Sequence, residues 1–320
     1  MVDHGRMSLS TYEVDLFEST RGRLEAIAYR LLGSTGDAED AVQEAFLRWQ
    51  AADRDHIETP EAWLTKVLTN LCLNQLTSAR ARRETYVGQW LPEPVFAGDR
   101  MLGPADTVEQ RESISIAMLT LMERLSPKER VVYVLREAFG YAHNEIAEML
   151  DITESNCQQI YRRAKQHLAT DRTRVQVDEA AARKIVEEFL AAAVSGRTET
   201  LIGLLTDDAI SIGDGGDFFP TLNRPLVGAQ RVVRFLRLAI KPTEGKRNML
   251  GGRPAIFSAV VNGGPALVVV VGDRVVGIVC LELTRDGIAA IHAQVNPEKL
   301  ARATRRWASS EHGAPIIESW

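Results

Sequence analysis

The chain has 320 residues, 45% hydrophobic and 25% charged, with a net charge of −5, proportions of a globular protein with room for two or three cores rather than of a disordered or fibrous one. Its longest strongly apolar run, Ala266 to Val271, stops at Gly272-Asp273-Arg274, far short of the roughly 20 residues of a membrane span, and the first ten residues lack an apolar signal region; a cytoplasmic protein without a membrane partner is expected. Cys72, Cys157 and Cys280 form no C-x-x-C pair and have no clustered histidines, which argues against a disulfide framework and a metal site.

Leu24 to Leu32 reads as a helix closed by Gly33, and Ser34 three residues before Asp37 starts the next. In that second helix Asp37, Asp40 and Glu44 form a carboxylate stripe, while Val42, Ala45, Phe46 and Trp49 repeat on another side. One side can pack inward and the other can meet a basic partner. A third helix starts at Thr59-Pro60-Glu61 and carries the ridge Leu64, Val67, Leu68, Leu71. Trp63, Lys66, Asn70 and Asn74 lie off that ridge and Arg80, Arg82 and Arg83 follow. Such an interleaving of amides, cations and an aromatic suits single-stranded DNA.

Pro92, Pro94, Gly98, Gly103 and Pro104 then interrupt the helical pattern and predict a linker. Helices resume near Asp106 and at Ser126-Pro127-Lys128-Glu129, a capping box around an N1 proline. Asn144 to Leu150, the turn Asp151-Ile152-Thr153, and Glu154 to His167 follow in the order of a helix-turn-helix. On its second helix Ser155, Asn156, Gln158, Gln159, Arg162, Arg163 and Lys165 are polar, while Ile160, Ala164 and Leu168 keep an apolar side. Amides can read adenine edges and arginines can pair with guanine or phosphate.

After Val177 the pattern predicts helices over 178–194, 198–205 and 228–240, then strands over 255–261, 266–271, 274–283 and 287–295 separated by Gly/Asn/Asp turns. Helices before an antiparallel sheet predict an α+β cone or curved sheet. The fold class is thus multidomain: two all-α helical domains, the second with a helix-turn-helix, and a C-terminal α+β cone. Residues 1–175 hold 21 Lys+Arg against 27 Asp+Glu, whereas 176–320 hold 17 against 16. If the acidic half touches DNA, its positive charge is local and a partner supplies most of the affinity.

The stretches DAEDAVQEAFLRW, TPEAWLTKVLTNLCLNQL with its arginines, and LSPKERVVYVLREAFGYAHNEIAEMLDITESNCQQIYRRAKQHL resemble, in this order, a bacterial extracytoplasmic-function sigma factor. The resemblance implies that Asp37, Asp40 and Glu44 dock on core RNA polymerase. It further implies that Lys66, Asn70, Asn74, Arg80, Arg82 and Arg83 capture the minus-ten promoter element, and that 154–167 reads the minus-thirty-five element. Asp151 departs from the glycine common in such turns but tolerates a left-handed backbone. The remainder resembles the NTF2/SnoaL-like extension of a sigma J-like subgroup. Trp90-Leu91-Pro92-Glu93-Pro94 matches its linker motif and Asn296-Pro297-Glu298-Lys299-Leu300 its terminal motif. Asp214-Gly215-Gly216-Asp217 only partly matches its D-G-G-G-K loop, whose lysine is missing. The implied domains are sigma region 2 over 12–85, a linker over 86–112, sigma region 4 over 113–172, a regulatory domain over 178–305 and a tail over 306–320.

Two other readings stay open. The cone could be a catalyst, with Asp207, Asp208, Asp214 or Asp217 as a base and His292 facing the cavity, although no tyrosine follows Tyr161 to hold an oxyanion. The helical half could be a repressor that binds duplex DNA without polymerase. The favoured expectation is a non-enzymatic sigma factor, monomeric when free, with no cofactor and with space in its cone for a small apolar ligand.

Overall fold

The structure, a computed structural model, describes residues 10–84, 86–103, 107–169, 178–222 and 224–320; of residues 79–84, 108 and 179 it describes the backbone alone. The chain divides into two compact units. One contains residues 1–84, 98–114 and 121–169, the other residues 85–97, 115–120 and 170–320. The expected linker over 86–112 is therefore not a separate connection but is shared between the two.

In the first unit α1 (Thr11–Leu32) starts well before Leu24. In its first half only Phe17 is buried, so no apolar period announces it. A capping box does: Glu13 N donates to Ser10 Oγ at 3.3 Å and Ser10 N to Glu13 Oε2 at 2.7 Å. Gly33, at φ 68°, closes the helix. The next helix, α2 (Thr35–Ala51), begins at the Ser34 cap and buries Val42, Ala45 and Trp49. Then come α3 (Pro60–Glu84) and α4 (Val108–Glu112), whereas α5 (Ile116–Leu121) belongs but for Leu121 to the second unit. The Ser126–Glu129 capping box opens α6 (Pro127–Glu137), which is followed by α7 (His143–Met149) and α8 (Glu154–Leu168).

Two buried arginines join α1 to α6. Arg30 donates from Nε to Ser113 Oγ at 2.8 Å and lies 5.1 Å from the Phe139 ring. Arg130 donates from Nη2 to the Arg30 carbonyl at 3.2 Å and pairs with Glu123. Burial lowers the Arg30 pKa to about 10 and that of Arg130 to about 9. Gly103, at φ 62°, fits this joint because a Cβ there would come within 2.4 Å of Ala26 Cβ.

The second unit begins its own helices with α9 (Glu179–Val194) and α10 (Thr198–Gly203). Its strands are β1 (Leu205–Asp214), β2 (Leu226–Val227), β3 (Ala255–Val261), β4 (Gly264–Val271), β5 (Arg274–Thr284) and β6 (Gly287–Gln294), interleaved with α11 (Ala229–Ala239) and α12 (Glu244–Leu250) and followed by α13 (Ala301–Ala308). The open sheet has the order β2-β1-β6-β5-β4-β3. Only β1 and β6 run parallel. This is the expected α+β arrangement, with an open sheet rather than a closed one.

Strand alternation gives that sheet two apolar faces. Leu267, Leu281 and Ile291 pack with Phe189, Val232 and Leu236 from the helices. Val268 and Ile278 pack with Ile116, Leu300 and Trp307 on the other side. Residues 306–320 are not a loose tail: Ile256 N donates to the Ile317 carbonyl at 2.8 Å and Trp320 N to the Pro254 carbonyl at 2.9 Å. The first linker residues behave alike, with Val95 N donating to Asn262 Oδ1 at 2.8 Å and Ala97 N to the Val260 carbonyl at 3.1 Å.

Candidate nucleic-acid interface

The helix-turn-helix forms as its residue types dictate. Asp151 takes φ 51°, the left-handed conformation an aspartate tolerates, and Thr153 Oγ1 accepts from Asn156 N at 3.2 Å to start α8. Cys157, Ile160, Ala164 and Leu168 are buried, which turns Ser155, Asn156, Gln159, Arg162, Arg163 and Lys165 outward. Gln158 is half-buried and donates to Glu154 Oε1 at 3.2 Å. Behind the helix Tyr161 bonds Glu137 and its ring meets His143 at 5.2 Å. The outward face offers amides and guanidiniums at spacings that can enter a major groove.

On α3 the expected residues separate. Asn74 is exposed, Asn70 is half-buried, and the side chains of Arg80, Arg82 and Arg83 lie outside the described residues. Trp63 is half-buried with its ring centroid 5.7 Å from that of Trp49. Lys66 does not face open solvent alone: its Nζ donates to the Glu148 carbonyl at 2.9 Å and to Asp151 Oδ1 at 3.0 Å. Thr65 Oγ1 meets Tyr141 Oη at 3.2 Å, and Arg23 lies over the rings of Phe139 and Tyr141. The lysine expected to bind one DNA element is thus held against the turn that presents the other. On α2 Asp40 is exposed, Asp37 is half-buried, and Glu44 pairs with Arg48 at 2.9 Å.

The other expected residues meet around Asp214, which is fully buried at the end of β1. Its Oδ2 accepts from Lys299 Nζ at 2.6 Å, Leu91 N at 2.8 Å and Gln294 Nε2 at 3.3 Å. Its Oδ1 accepts from Tyr86 Oη at 2.6 Å and Gly216 N at 3.2 Å. Lys299 also donates to the Leu91 carbonyl at 2.8 Å and lies 4.3 Å from the Trp90 ring. Asn296 Nδ2 donates to Tyr86 Oη at 2.9 Å. A Cβ on Gly216 would come within 2.6 Å of that Asn296 nitrogen, and one on Gly215 within 2.1 Å of the Phe219 carbonyl oxygen.

The lysine that meets Asp214 comes from the terminal motif, at Lys299, and not from the 214–217 loop. Pro92, Glu93 and Pro94 carry the chain from this cluster to the Val95 contact, and Leu300 buries below it. Tyr86 and Gln294 were not foreseen, since neither lies in a recognised motif. Burial first, then the bond to Asp214, pushes the Tyr86 phenol well up.

A tyrosine beside an aspartate revives the question of catalysis, and the geometry answers it. Asp214 is enclosed and accepts from five donors, so it has no free lone pair aimed at a substrate. The cavity of the cone, about 280 Å³, is a separate place lined by Phe189, Phe235, Leu267, Val279, Ile291 and Trp320 among others. His292 is buried on β6 between the cavity-lining Ile291 and Ala293, so alternation turns it to the opposite face. Asp207 and Asp208 are exposed on β1. Among the described residues no group of three or more His, Cys, Asp or Glu is placed to hold a metal ion, and no helix is long and apolar enough to cross a membrane.

Comparison with known proteins agrees with this division. Residues 16–82 match the family model for sigma-70 region 2 and residues 115–168 that for sigma-70 region 4. The chain is 40% identical over 225 residues to the ECF RNA polymerase sigma factor SigJ of Mycobacterium tuberculosis, covering 70% of this chain and 72% of that one. It is 32% identical over 287 residues to the probable ECF RNA polymerase sigma factor SigI of the same species, covering 88% and 92%. The crystal structure of M. tuberculosis SigJ superposes with a TM-score of 0.70 at 32% identity, covering 90% of this chain and 98% of that one.

Proposed function

Because the chain belongs to the extracytoplasmic-function sigma factors, in their SigJ-like subgroup, and so directs promoter-specific initiation by RNA polymerase without being an enzyme, we propose how its residues divide that work. Asp37, Asp40 and Glu44 dock the chain on core polymerase. Asn70, Asn74, Lys66 and the arginines 80, 82 and 83 hold the melted minus-ten strand. The outward face of α8 reads the minus-thirty-five duplex, with Arg162 and Arg163 contributing most. The observation that carries this reading is α8 itself, a helix with a buried apolar side and an exposed side of readout residues, set on a left-handed turn.

In this reading the free chain is a closed, cytoplasmic monomer. Residues 12–85 and 113–172 act as separate domains on polymerase, so the Arg30–Arg130 joint and the Lys66–Asp151 pair have to open first. The cone modulates that equilibrium in cis through the segment 86–97, which Asp214 and Lys299 anchor. The apolar lining of its cavity suits a small apolar ligand.

In vitro transcription with core polymerase on a promoter library tests the assignment. The chain should select a start site, and R162A/R163A should lose upstream-element recognition while keeping polymerase affinity. Unchanged selectivity in that variant would remove α8 from the role.

A further inference from the structure

The second unit carries a long stretch with an excess of positive charge. Between Asp217 and Asp273 there are eight Lys or Arg residues and a single carboxylate, Glu244, in a protein of net charge −5. Much of this charge sits on one helix. In α11 the residues Ala229, Val232, Val233 and Leu236 are buried, which fixes the opposite side as Arg231, Arg234 and Arg237, all exposed, with exposed Lys241 just beyond its end. At 1.5 Å per residue the three guanidiniums project from about 9 Å of helix. Glu244, the only nearby carboxylate in sequence, is occupied by Arg247 at 2.7 Å. Arg237 donates to Thr198 Oγ1 at 3.2 Å, a neutral partner, and among the described residues Arg231 and Arg234 have no ion pair.

Such a face should have a polyanionic partner. Exposed like charges along one side of a helix repel one another by a few tenths of a kcal/mol per pair. A row of phosphates relieves that repulsion and releases counterions. A membrane surface fits less well, because the only apolar side chain on the stripe is Leu238, too little to insert.

We propose that the α11 stripe, with Arg231 and Arg234 at its centre, binds the phosphate backbone of promoter duplex flanking the two recognised elements, adding affinity that is indifferent to sequence. The proposal rests on the sigma-factor reading. It also supplies what the helical half lacks, since residues 1–175 carry more Asp+Glu than Lys+Arg.

The test uses polymerase holoenzyme assembled with the full chain and two promoter fragments. One spans only the minus-thirty-five to minus-ten region and the other has about 20 extra base pairs on each side. Affinity is measured against salt for the unaltered chain, for R231Q/R234Q and for R231K/R234K; glutamine and lysine both keep helix propensity at exposed sites. Losing two phosphate contacts should make the log–log salt slope shallower by about 1.8 on the long fragment and weaken binding there by about 60-fold near 0.1 M salt relative to 1 M. R231Q/R234Q should match the unaltered chain on the short fragment, and R231K/R234K should match it on both.

Equal slopes for R231Q/R234Q and the unaltered chain on the long fragment would overturn the proposal. So would a loss of core-polymerase binding by R231Q/R234Q without DNA, which would make the stripe a protein-docking surface, or a loss confined to anionic vesicles. If the unaltered chain formed no holoenzyme, the sigma-factor reading itself would fail, a result distinct from either.

Discussion

Two polar clusters, the outward face of α8 and the knot around Asp214, contain similar residue types and have opposite fates. In the knot every charge is enclosed and answered: Lys299 meets Asp214, Asn296 meets Tyr86, and Gln294 meets Asp214 and the backbone. On α8 Asn156, Gln159, Arg162 and Arg163 are exposed, over a buried apolar side. Hydrogen-bonding capacity satisfied internally fixes a conformation, and capacity turned to solvent is free to select a partner. Residue type does not separate the two; burial does.

Substitutions can break that contrast. The largest effect is expected from D214N, which leaves the Lys299 ammonium enclosed without its counter-charge and should lower unfolding free energy by about 3–5 kcal/mol in denaturant titration. R162A/R163A should leave the denaturation midpoint unmoved but weaken holoenzyme binding to its promoter by about 1–3 kcal/mol for each side chain that contacts a base, measured by fluorescence anisotropy. G216A should destabilise by about 1–3 kcal/mol, because φ 54° and the nearby Asn296 amide both resist a side chain, and N296A should recover part of that loss in a double-mutant cycle.

K66A, at a partly exposed pair, should change stability by less than about 1 kcal/mol. Its effect should instead be a small gain of open population, read as lower energy transfer between dyes on α3 and α8. A large stability loss in K66A, or none in D214N, would erase the distinction between the clusters.

The parts legible in the sequence are those with local chemistry. Ser34 and Ser126 start their helices where side-chain caps predict, and the turn at Asp151 adopts the backbone an aspartate allows. What stayed hidden depends on distant partners. Leu205 to Asp214 reads as a helix end followed by acidic turn residues, yet it becomes β1 because β6 offers a parallel edge, a pairing no local pattern encodes. Residues 306–320 read as a tail but are held by Ile256 and Pro254. Asp214 and Lys299 were both singled out as motif members. Their direct pairing across 85 positions, with Tyr86 as a third member, needed the fold.

The dehydrated guanidiniums at the α1–α6 joint have a consequence for temperature. Arg30 and Arg130 hold their protons less firmly because water has been withdrawn from them, and parting the helices returns that water. Hydration of a cation becomes less favourable on warming. In this contribution, cooling loosens the clasp and heating tightens it, so the joint acts as a thermal bias on how readily the molecule unfastens.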